Sequence, residues 1–82
     1  MNPKALRLMV SLLLTARLCA NAARGSKEAD AYLADAAERI ADARRLLASL
    51  RAPAIIRRAL EVEIAQLWGR YVRGVLALGR GA

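Results

Sequence analysis

Apolar residues in the middle of the chain fall at Leu33, Ala36, Ile40, Ala43, Leu47 and Leu50, in steps of 3, 4, 3, 4 and 3. Such steps keep side chains on one face of a helix and form a narrow, coiled-coil-like seam. The positions between them are charged and complementary at helical spacing, with Asp35 four before Arg39 and Asp42 three before Arg45. That is the pattern of an outer, solvated helix. The flanking segments are different. Placed at 100° intervals, Leu8, Cys19, Leu12, Ala16, Met9, Ala20, Leu13 and Val10 span an arc of about 200° on an N-terminal helix. Its polar sliver is Lys4, Arg7, Ser11, Thr15 and Asn21, with Arg17 and Arg24 at the edge of the apolar arc. A C-terminal helix carries an arc of about 160° from Ile56, Leu60, Ile64, Leu67, Trp68, Tyr71, Val72, Val75 and Leu78, leaving Ile55, Val62 and Leu76 outside it.

Breaks between these segments are few. Pro3 suits a first helical turn, Arg24 and Gly25 make a basic last turn and a stop, and Ser26 is a capping residue ahead of Glu28 and Asp30. Pro53 disfavours helical geometry at Ala52 and is tolerated where a new helix begins. The reading is three helices over about 3–24, 27–51 and 53–78, with fraying from Gly79 to Ala82. Short connections make neighbours antiparallel. Residues 1–82 therefore read as one small all-α domain, a three-helix antiparallel bundle or a helical hairpin with an additional N-terminal helix, completed in one alternative by oligomerisation.

Composition supports helix over strand. The chain of 82 residues has 19 Ala and 14 Leu against 8 Val and Ile together. At 57% apolar it is too hydrophobic for a disordered basic tail. A chain of this size removes only roughly 60% of its unfolded surface from water, so good packing, self-association or a partner is needed. The formal charge of +7 is unevenly placed: residues 1–25 carry four cations and no acid, while the central segment 26–51 is neutral. The excess therefore belongs to the first and third helices.

Catalytic chemistry has little to work with. There is no His and a single Cys, which removes His acid–base catalysis, nearly all zinc sites and any internal disulfide. Cys19 sits in the apolar arc without an activating partner and reads as a small buried hydrophobe. Glu28, Asp35 and Asp42 line up seven apart, yet without a facing acidic helix they read as a solvated row, and Glu61 and Glu63 read as ion-pair partners for nearby arginines. Tyr32 is expected to pack against its own connection or the end of the third helix. Gly69, Gly74 and Gly79 recur every five residues, around the helix rather than along one face, and fraying explains them more simply than close packing. No enzyme activity, cofactor or metal is expected.

The N-terminus superficially resembles a secretory signal, but Arg17 closes an uncharged stretch of nine residues, and no uninterrupted apolar run reaches a membrane-spanning length. A cytoplasmic protein is expected. What remains is surface. The surplus apolar area on the first and third helices suggests a non-enzymatic protein–protein interaction module, a small regulator or inhibitor. Its expected contact residues are Met9, Leu12, Leu67, Trp68, Tyr71, Val75 and Leu76, with Arg70 and Arg73 as a rim that selects an acidic partner presenting an apolar groove or helix. The alternatives are a homo-oligomer, a basic nucleic-acid-binding regulator, and a membrane-surface protein anchored by its first helix.

Overall fold

The computed structural model describes residues 2–80, with the backbone alone for Arg80. It is all-helical among these residues: α1 runs Pro3–Ala22, α2 Ala29–Ser49 and α3 Ala54–Arg80, and the three pack against one another. Each end follows from local chemistry. Asn2 caps α1, its side chain accepting from Lys4 N at 2.9 Å, with Pro3 in the first turn. Gly25 takes φ +67° in the connection, a left-handed conformation in which an L side chain is strained. Ser26 Oγ accepts from Glu28 N at 3.1 Å, so it orders a turn ahead of α2 and not the helix itself. As a result α1 ends two residues earlier, and α2 starts two residues later, than the sequence predicts. Pro53 stands just before α3, where its carbonyl accepts from Arg57 N. The helix then continues through Gly79 to Arg80, past the expected fraying point; Gly81 and Ala82 lie outside the described residues.

All six seam residues of the middle segment are buried, Ala36 and Ala43 completely. Ile40, Ala43, Leu47 and Leu50 of this seam meet Met9, Leu13 and Ala16 from α1 and Leu60, Ile64 and Leu67 from α3 in one core. A smaller cluster of Ala23, Ala29 and Leu33 closes the end at the α1–α2 connection, with Tyr32 packed on it and Tyr71 touching both clusters. Only a narrow stripe of α1 enters the core, with Leu12 half-buried against it. Leu8 and Val10 stay exposed despite belonging to the expected arc, and so do Leu14 and Leu18 on the side the helical wheel assigned to polar residues.

Two arginines fasten the helices. Arg17 Nη2 donates to Glu63 Oε2 at 2.7 Å, tying α1 to α3 through a pair whose side chains are about 40% exposed. A pair that wet contributes about 0–1 kcal/mol. Arg57 reaches back from α3 and donates to the carbonyls of Leu47, at 2.9 Å, and Leu50. Leu47 O also accepts from Leu50 N at 3.2 Å, so Arg57 adds a second donor to a carbonyl in the last turn of α2 and binds that of the C-cap residue Leu50, where a cation favours the helix dipole. Arg57 therefore caps α2, and among the described residues Glu61 has no ion-pair partner within 4 Å; the expected local pair is replaced by a bond between helices. Replacing Arg57 by Met should cost about 1–2 kcal/mol, a fall in Tm of several degrees, whereas Arg58→Met should be near neutral. Equal melting curves for the two variants would show that the cap is not made in solution.

Gly74 has a structural reason that fraying does not supply. A Cβ there would lie 2.7 Å from Leu33 Cδ2, so the glycine lets α3 approach α2 closely, while Gly69 and Gly79 have open or ordinary surroundings. The α1 helix is also long and apolar enough by length and composition to cross a membrane, despite Arg17. Mean composition tolerates an isolated charge that an unbroken apolar run excludes.

Candidate functional site

The described residues contain no group of three or more His, Cys, Asp or Glu placed to hold a metal, and the row of Glu28, Asp35 and Asp42 does not converge. Cys19 is a free thiol, half-buried rather than enclosed. What the fold presents is two surfaces on opposite flanks of α3.

The first faces the α2 side. Trp68, Val72, Val75 and Leu76 are 40%, 37%, 42% and 54% exposed, at spacings of 3 and 4 that gather them over two turns. Trp68 has two close neighbours. Its ring lies 5.0 Å from that of Tyr71 at a tilt of 33°, and the Arg44 guanidinium stands 4.8 Å from its centroid. A cation over an exposed indole contributes about 0.5–1 kcal/mol and fixes the ring orientation. The amphipathic ring is thus partly presented to solvent, with a cation beside it.

The second surface is a cleft of about 770 Å³ between the α1–α2 connection and the C-terminal half of α3. Ala20, Ala23, Ala29, Leu33, Ala77 and Leu78 supply apolar wall, Gly25 and Ser26 one lip, and Arg24, Arg70 and Arg73 the charge. None of its lining residues is acidic.

This packing divides the residues expected to form one binding face. Met9 and Leu67 are 0% and 1% exposed and belong to the core, because α1 and α3 turn them towards Ile40 and Ala43. They are not accessible to a partner while the bundle stays closed. Leu12 and Tyr71 are half-buried against the same core. Trp68, Val75 and Leu76 do lie open, but Arg70 and Arg73 line the cleft on the other flank of the helix. The arginine beside Trp68 is Arg44 from α2, which the sequence reading placed on a charge-balanced outer face. Its signal was weak: an Arg next to the α2 seam, with no means of telling which helix would lie alongside.

No family model, curated protein or solved structure matches this chain. Its surfaces must therefore be interpreted from their own chemistry.

Proposed function

We propose that this chain is a non-enzymatic interaction module, an antiparallel three-helix bundle that docks on a larger protein as a small regulator or inhibitor. The observation that carries the reading is the oriented Trp68 standing beside Val72, Val75 and Leu76 in the open. Aromatic and Arg side chains at the centre of an apolar patch are the residue types on which binding energy concentrates. Arg44, the cation that stands beside Trp68, favours a partner that presents an acidic group there. Apolar area gives affinity and Arg44 gives orientation.

The test compares wild type with Leu76→Asp in a tagged pull-down from nuclease-treated lysate of the native source, at moderate salt and without detergent. A stoichiometric, acidic partner should co-purify with wild type and be lost with the variant, while the helical circular dichroism of the two is the same. Retention of that partner by a folded Leu76→Asp would remove the α3 flank from consideration.

A second reading has its own observation. Leu8, Val10, Leu14 and Leu18 leave α1 with a broad exposed apolar surface beside Lys4 and Arg7, which is suited to a membrane interface. Association with anionic vesicles that survives salt and yields to detergent would favour it over protein docking. Binding that collapses between low and moderate salt would instead point to nucleic acid.

A further inference from the structure

We infer that the cleft between the α1–α2 connection and α3 is a binding site for a single-chain aliphatic carboxylate. Four features of the cleft bear on this. Its volume of about 770 Å³ lies within the range of roughly 300–1,000 Å³ in which proteins hold small molecules. Its wall is largely apolar, from Leu33 on α2 to Leu78 on α3, and suits an aliphatic tail. Arg24, Arg70 and Arg73 line it together and, among the described residues, have no ion-pair partner within 4 Å. The guanidinium is weakly hydrated and binds carboxylate through parallel hydrogen bonds, so arginine side chains within reach of an apolar wall favour an anion that carries hydrocarbon with it; Arg73 Nη1 lies beside Gly69 and swings in from the rim. Gly74 completes the shape: a side chain there would run into Leu33, and its absence leaves the floor of the cleft low.

The charge and the tail make separable demands. An apolar slot alone would accept alcohols and cationic amphiphiles as readily as carboxylates, and the arginines alone would accept any small anion. The combination selects a molecule with both parts. This surface lies on the opposite flank of α3 from Trp68, so the inference does not depend on the proposed docking face.

The experiment is a titration of the full-length, isotope-labelled protein with dodecanoate below its micellar concentration, followed by amide chemical shifts. Dodecyltrimethylammonium, dodecanol and acetate serve as the charge-reversed, neutral and tail-less comparisons. Dodecanoate should bind saturably and shift amides in residues 20–29 and 70–78, with the three comparisons binding at least roughly tenfold more weakly. The double variant Arg24→Gln/Arg70→Gln should lose a similar factor, Arg70→Lys should lose less, and Leu76→Asp should bind as wild type. Equal affinity for the cationic amphiphile, shifts centred on the exposed Leu14 and Leu18 of α1, or no saturable binding by the wild type would each overturn the assignment. Because the wild-type shift map is decisive by itself, a variant that failed to fold would not shield the proposal.

Discussion

Leu67→Asp is expected to unfold the protein rather than to release a partner from a folded one. Leu67 is 1% exposed and sits in the core with Ile40, Ile64 and Ala43. The substitution forfeits about 1.5–3 kcal/mol of side-chain burial. It also sets a carboxylate among methyl groups with no cation to pair it, a further cost of several kcal/mol that the chain avoids by opening. A core this small rarely supplies more than about 3–5 kcal/mol in total. Helical circular dichroism at 25 °C should therefore fall and the cooperative melt disappear. Leu76→Asp, nine residues later and 54% exposed, should leave both intact. A cooperative, wild-type-like melt for Leu67→Asp would mean that α3 is rotated about its axis from the arrangement described.

The second large effect comes from a small residue. Ala43 is 0% exposed and lies in the cluster to which both α1 and α3 contribute. Enlarging it to Leu has no empty space to use, and overpacking a filled core costs typically 1–3 kcal/mol. For a domain of this size that corresponds to a drop in Tm of roughly 5–20 °C. Ala34→Leu places the same side chain on the exposed face of the same helix and should be near neutral. Thermal denaturation of the pair separates packing from helix propensity, which is alike in both. If Ala43→Leu melted with wild type, the helices would not approach each other as closely as described at that level.

Legibility in the sequence varied with how sharply each segment separates its faces. The seam from Leu33 to Leu50, at the C-cap of α2, is the one continuous apolar stripe on a charged segment, so its phase is unique and its residues read as core without needing a neighbour. In α1 apolar residues stand almost all round, and periodicity cannot say which stripe is covered. Met9 and Leu13 went in while Leu14 and Leu18 stayed out because α2 lies along one side, a fact of docking and not of pattern. The same ambiguity placed Leu67 and Trp68 on one surface although one step of 100° separates core from solvent there. Arg17, Arg44 and Arg57 took their partners from other helices, and only Arg57 left a hint, by following the end of α2 within a few residues. The cleft left none, since it exists only where α3 passes the α1–α2 connection.

The Arg57 cap, the Gly74–Leu33 approach and the Arg44–Trp68 contact all join α3 to α2, whereas α1 meets α3 least of the three pairings and α1 meets α2 most. Opening is therefore graded by seam. The α1–α3 edge should part first under mild destabilisation, with Arg17–Glu63 as its one ion-pair clasp among the described residues. Amide hydrogens of α2 would then exchange only through global unfolding and report the full stability, while those of α3, which meets the other two helices less than they meet each other, exchange through smaller, sub-global excursions. Those excursions would uncover Met9 and Leu67 for short intervals, giving the protein a second, transient apolar surface that its closed form conceals.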